Sequence, residues 1–212
     1  MRPSAAIPFD PPAPNSLPWQ RRRHEWLAAK QDPVQNRAVY TRTAIALHWL
    51  MALLLTAGFT LGASMTDLAA SPRKVRLYAY HKWIGITILG LVLIRLLWRL
   101  GHRAPPDEPM PAWQRAAAHA THWLLYALML AVPFFGWLYS SASGYPVVYL
   151  KLWQLPDLVA KNKDLAKTLV AVHAFLAWTL FYLVLLHVAA ALKHHFFDRD
   201  ATLRRMLAWR RT

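Results

Sequence analysis

The chain has 212 residues, 56% of them hydrophobic, with 11 tryptophans, no cysteine and a formal net charge of +15. Without cysteine there are no disulfides, no thiolate or thioether-attached haem and no cysteine-bound iron–sulfur cluster, so any iron chemistry must rest on histidine. Mean hydropathy is positive and the apolar residues gather in four long blocks, which excludes an ordinary soluble domain and predicts an all-α integral membrane protein, a four-transmembrane-helix bundle.

Residues 1–40 form a polar, Pro- and Arg-rich leader containing PFDPPAPNSLPWQRRRHEW. It holds no apolar run before the first span, which argues against a signal peptide. Its composition predicts disorder, with a short basic surface helix over Pro18–Lys30. The membrane domain is expected over residues 41–206. Its first span covers about 43–65, with His48 one turn inside and Gly58 and Gly62 forming a small-xxx-small pair. Gly62 follows His48 by 14 residues, nearly on the same face, where it suits close helix packing or a flat macrocycle.

The second span covers about 80–100 and carries His81 at its entrance and Arg95 14 residues later. An arginine in an apolar run either finds an anionic partner, such as a haem propionate, or snorkels to the interface. A Pro-rich connector, APPDEPMPAW, leads to the third span at about 117–139, which holds His119 and His122 near its entrance and a predicted kink at Pro133 and Gly136. The connection from Ser140 to Lys167 is too polar to span and has room for a short interfacial helix. The fourth span covers about 169–192, with His173 and His187 again 14 residues apart. That spacing sets two side chains on nearly one face, about 21 Å apart along the axis. Residues 193–212 form a basic amphipathic tail suited to the membrane surface.

Four spans put both termini on one side. That side holds 17 of the 25 lysines and arginines and the other holds 8. The positive-inside rule therefore predicts a multi-pass membrane protein with both termini cytoplasmic. Topology and lipid head groups account for the charge without nucleic acid. The outer connectors keep a local excess of +5, from 8 basic and 3 acidic residues, which attracts anions.

With that topology the histidines sort by depth. His48 and His187 lie toward the cytoplasmic ends of their helices, His81 and His173 toward the outer ends. Two imidazoles facing across a gap are what six-coordinate haem requires. The pattern predicts an inner haem on His48 and His187 and an outer haem on His81 and His173. His122, with His119 behind it, competes at the inner layer for the place of His48 or His187, or serves a propionate or a quinone. Hydrogen bonding between neighbouring helices is the plain alternative for any one pair. Zinc would want three or four ligands at one depth, with carboxylate or thiolate help that the spans lack.

The stretches YTRTAIALHWL, HKWIGITILGLVLIRLLWRL, AHATHWLLYALMLAVPFFGWL and VHAFLAWTLFYLVLLHVAAALKHHFFDRDATLRRML resemble the bacterial cytochrome b561 family over about Tyr40 to Met206. The resemblance implies two haem b groups ligated by His48, His81, His173 and His187, and an electron carrier of the bacterial inner membrane working between a one-electron donor and quinone. One branch of that family oxidises superoxide at the outer face and reduces ubiquinone, and this is the function expected here, making the chain an oxidoreductase with no catalytic side chain of its own identified. The alternatives are a cytochrome subunit relaying electrons between quinol and a soluble dehydrogenase or reductase, and a haem-free metal-ion transporter. The forty-residue leader departs from the family's short N-terminus and leaves a partner role open.

Overall fold

A computed structural model describes residues 40–102 and 104–207. The chain divides into two units after Val39, and the described residues belong to the second, from Tyr40 on. The expected disorder and surface helix of the leader lie outside the described residues, as does the end of the tail.

Four long helices make the bundle: α1 Arg42–Met65, α2 Pro72–Gly101, α3 Ala112–Ser143 and α4 Lys163–Lys193. Each is long and apolar enough to cross a membrane. Their ends follow from local chemistry. Thr41 Oγ1 accepts the Ala44 N–H at 3.2 Å and Ser71 Oγ the Lys74 N–H at 3.3 Å. Ser71 precedes Pro72, whose fixed φ suits the first helical position, so α2 begins at Pro72 rather than near Tyr80. Asn162 Oδ1 accepts the N–H groups of Asp164 and Leu165, each at 3.0 Å, and starts α4. The third helix runs unbroken through Pro133 and stops at Gly144, whose φ of 73° closes the cap.

The bundle's inner end is where α1 begins and α4 ends; the opposite end is the outer one. Consecutive helices pack together, α1 on α2, α2 on α3 and α3 on α4. Among the described residues α4 lies against neither α1 nor α2 along any comparable stretch. The mid-depth core is a plug of Met51, Val92, Leu128, Met129 and Leu180, flanked by Leu55 and Phe59. Val92 is 0% exposed and Leu180 1%. Phe59 and Phe181 meet edge to face at 5.4 Å. Outward, large apolar side chains such as Leu97, Trp123, Phe175 and Leu186 stay exposed, as a surface facing lipid tails allows.

The outer connection is not helical. Val148–Tyr149 (β1) pairs antiparallel with Trp153–Gln154 (β2), and the turn puts Leu150 and Lys151 at φ 50° and 62°. The interfacial helix for which the sequence had room is therefore absent. Pro146 and Pro156 bracket the segment and deny a helix its backbone donors. Side chains of α2 bind the connection's backbone instead: Trp83 Nε1 donates to Val148 O at 2.7 Å and Lys82 Nζ to Tyr145 O at 2.9 Å. The Thr87 and Tyr149 hydroxyls meet at 2.9 Å.

At the inner end a π-turn, His194–Asp198, leads into a short helix, α5 Thr202–Leu207. His194 Nδ1 lies 2.7 Å from Asp200 and 3.0 Å from Asp198. Burial pushes the Asp200 carboxyl up, but hydrogen bonds from Thr202 and His194 outweigh it and hold the group below its usual range. Arg205 then crosses to the α2–α3 connector, pairing with Glu108 at 2.6 Å and donating to Pro106 O at 2.7 Å.

Candidate functional site: two layers of facing histidines

The outer layer is built by all four helices. His81 of α2 and His173 of α4 face each other with ring centroids 6.1 Å apart. The Nδ1 of His81 lies 3.1 Å from Gly58 O of α1, and that of His173 2.9 Å from Val132 O of α3. A carbonyl only accepts, so each Nδ1 carries the proton and each Nε2 keeps a free lone pair. Among the described residues neither Nε2 has a hydrogen-bond partner. Two glycines give the rings space. A Cβ on Gly62 would stand 3.3 Å from His81 Cε1, and one on Gly136 would stand 3.0 Å from His173 Cε1. Gly62 therefore lets α1 approach the His81 ring of α2 closely, in keeping with the packing use its spacing suggested. Gly136, expected only as part of a kink, does the same for His173.

At the inner layer His48 of α1 faces His187 of α4 at 6.3 Å. His122 of α3 approaches the same His187 ring at 5.4 Å. The four paired histidines are half-buried, whereas His122 is exposed. None of the three inner rings makes a hydrogen bond among the described residues. His119 does not join them: its Nε2 lies 3.0 Å from Asp107 Oδ2 at the bundle's inner surface, with its side chain 54% exposed.

Arg95 closes the inner layer on the α2 side. Its Nε donates to the Tyr126 hydroxyl at 2.8 Å and Nη1 to Ala44 O at 3.2 Å. Ala44 lies one helical turn before His48 on α1, so the bond brings the guanidinium to the inner layer's level. It lines a groove together with Tyr40, Trp98, Arg99, His102 and Tyr126. Among the described residues no acid lines this groove, and the acceptors of Arg95 are the neutral Tyr126 hydroxyl and Ala44 carbonyl.

The donor set fits a bis-imidazole metal centre. A metal held end-on by two rings through bonds of about 2 Å sets the ring centres about 6 Å apart, as in both pairs; 5.4 Å for His122 and His187 is short of it. The fit extends to the helices, since each facing pair joins two whose backbones make no extended approach to one another among the described residues. Haem b brings such an iron in a flat apolar macrocycle, which would fill space between helices.

Four helices long and apolar enough to cross a membrane, with paired histidines between them, are the frame of a multi-pass membrane protein. Comparison with known proteins gives the family: the pattern of the prokaryotic cytochrome b561 family matches residues 39–209, and the chain belongs to it. It is similar to cytochrome b561 homolog 2 of Escherichia coli strain K12, 37% identical over 172 residues, 79% of this chain and 90% of that protein. It also resembles a probable superoxide oxidase CybB of Yersinia pestis, 34% identical over 177 residues (81% and 97% of the two chains). Cytochrome b561 homolog 1 of the same E. coli strain is 29% identical over 177 residues, 81% of this chain and 98% of its own. Membership makes the protein a bacterial membrane cytochrome that transfers electrons with b-type haem.

Proposed function

We propose that this chain is a dihaem cytochrome that oxidises superoxide at its outer face and reduces ubiquinone within the bilayer. The observation carrying this reading is the pair of facing imidazole layers, 6.1 and 6.3 Å between ring centres. His48 and His187 are assigned to the inner haem, His81 and His173 to the outer one. Arg95 is assigned to an inner propionate, the anion its groove lacks, with His122 beside it as a further contact to propionate or quinone. His119 is left as a surface partner of Asp107. The groups, when bound, supply one-electron carriers at two depths. The chain supplies the rest. It orients the rings, keeps water out of the mid-depth plug and draws anions toward one end.

That attraction can be assigned to particular side chains. Lys74 donates to Thr66 O at 3.1 Å, Lys82 is tied to Tyr145 O and Lys167 pairs with Asp164. Arg73, Arg76, Lys151 and Lys163 form no ion pair among the described residues and are exposed. They suit superoxide, a small anion. The overall reaction takes one electron from each of two superoxide ions and leaves two molecules of dioxygen. Ubiquinone gains those two electrons and two protons and leaves as ubiquinol. The superoxide oxidase name of the Yersinia relative supports this donor.

The test is a reduced-minus-oxidised visible spectrum of purified protein with haem counted per chain, repeated for His173→Ala and His187→Ala. Two haem b per chain, each substitution removing one, is the expected result. Addition of superoxide should then reduce haem faster than dismutation consumes it and form ubiquinol. Absence of that reduction, with a soluble dehydrogenase needed for turnover, would replace the donor and leave a relay cytochrome. A colourless protein binding zinc would end the haem reading altogether.

A further inference from the structure

The hairpin at the outer end sits on a face of α2 that the bundle does not use. His81, Ile88, Val92 and Arg95 share one stripe of that helix, on which Ile88 and Val92 are buried. Trp83, Thr87, Gly90, Ile94 and Leu97 follow the helical repeat along the opposite stripe. From Gly90 inward that stripe is exposed, as a surface facing lipid tails is. Its outer part is half-buried because β1 packs on it. There Trp83 Nε1 donates to Val148 O, and the Thr87 hydroxyl meets that of Tyr149. The hairpin thus occupies a place on α2 that lipid holds further in.

Its depth follows from the charges of α2. Lys82 and Arg99 are 17 residues apart, about 26 Å along the axis, against about 30 Å for the apolar core of a bilayer. The core therefore reaches as far out as Lys82, whose ammonium is bonded to Tyr145 O at the root of the hairpin. The hairpin's composition suits that level. Its stretch YPVVYLKLWQLP carries a single charge, Lys151. Leu152 is 87% exposed and Trp153 74%, an apolar surface that a water-facing loop rarely keeps. The backbone bonds to itself, as a water-poor layer demands. Beyond the β1–β2 pairing, the Leu152 N–H donates to Tyr149 O and the Leu155 N–H to Val147 O, both at 2.9 Å.

We propose that the hairpin is a membrane-interface anchor, lying in the headgroup layer at the outer end of the bundle with Leu152 and Trp153 against lipid. Lys151 then stands at the water's edge, where a long cationic side chain is at home. Two observations favour lipid over a second copy of the chain or another protein. The hairpin continues the lipid-facing stripe of α2, and its Tyr145, Trp153 and Lys151 are the residue types that membrane interfaces enrich. The anchor also holds α3, where Trp137 Nε1 donates to Pro156 O at 3.1 Å. It thereby fixes the outer ends of α2 and α3, beside His81 and Gly136, at one level of the bilayer.

The experiment reads the surroundings of single nitroxide labels on the full-length holoprotein, which has no cysteine of its own, in vesicles of phosphatidylethanolamine and phosphatidylglycerol. Leu152→Cys and Trp153→Cys carry the label in the hairpin. Lys163→Cys serves as the water marker and Ile94→Cys as the marker for lipid tails. Collision of each label with dioxygen, which concentrates in lipid, is compared with its collision with a water-soluble nickel chelate. We expect the oxygen-to-nickel ratio at both hairpin sites to be several-fold above that at Lys163→Cys and below that at Ile94→Cys. A ratio equal to the water marker would leave the hairpin in solvent, and one equal to the lipid marker would sink it among the tails; either overturns the proposal. Weak collision with both reagents would mean that protein covers the hairpin, which also overturns it. Line broadening that disappears on dilution with unlabelled protein would identify that cover as a second copy. If one hairpin variant fails to fold, the other decides.

Discussion

Gly136 is the residue whose role is hardest to see without neighbours and easiest to test. An alanine methyl there would lie 3.0 Å from His173 Cε1 and 3.1 Å from Nδ1, so the ring must move and strain its bond to Val132 O. Overpacking of this kind costs about 1–3 kcal/mol. Gly62 poses the same problem more mildly, with its nearest His81 atom at 3.3 Å. Gly136→Ala should therefore weaken or lose the outer haem signal, and Gly62→Ala should perturb it less. Visible spectra of the two variants check this; unaltered spectra in both would mean that the rings have slack the distances deny.

Among the helices, α5 buries none of its residues fully and is tied down by polar contacts. Its Arg205 and the connector's Glu108 are each 17% exposed in their side chains. A solvated pair contributes about 0–1 kcal/mol, while breaking a fully buried one costs about 3–5 kcal/mol. Arg205→Ala is expected to fall between those limits, with the Pro106 carbonyl also losing its donor. The Trp49 indole, which donates to Met206 O at 2.9 Å, is then the remaining tie to α1. The predicted outcome is faster amide exchange over residues 202–207 with haem content unchanged. Haem loss in that variant would show that the clasp holds up the inner layer itself.

For the whole molecule the open question is orientation, and the chain offers a clean background because it has no cysteine. Single cysteines at Lys151, in the outer turn, and at Arg199, after the π-turn, mark opposite ends of the bundle. A membrane-impermeant maleimide added to intact spheroplasts should label Lys151→Cys and spare Arg199→Cys until the membrane is opened. The reverse pattern would turn the bundle over and put the Arg73, Arg76, Lys151 and Lys163 face in the cytoplasm. Superoxide arriving from outside would then meet the wrong end.

The order and depth of the helices were legible because hydropathy and a 14-residue spacing act along one helix at a time. From them alone His48 shares a level with His187, and His81 with His173, as the structure places them. Family membership too was readable in the stretches around those histidines. Lateral arrangement was not, since periodicity assigns a side chain to a face without saying which neighbour it meets. Only packing brings His122 to His187, leaves His119 at the surface with Asp107, and aims the carbonyls of Gly58 and Val132 at the outer rings. The turn over Leu150–Lys151 was equally hidden, because a short pairing of backbone groups leaves no periodic trace in so few residues. The lack of cysteine thus left any iron chemistry to histidine, and the tertiary structure decided how differently the two histidine pairs are held.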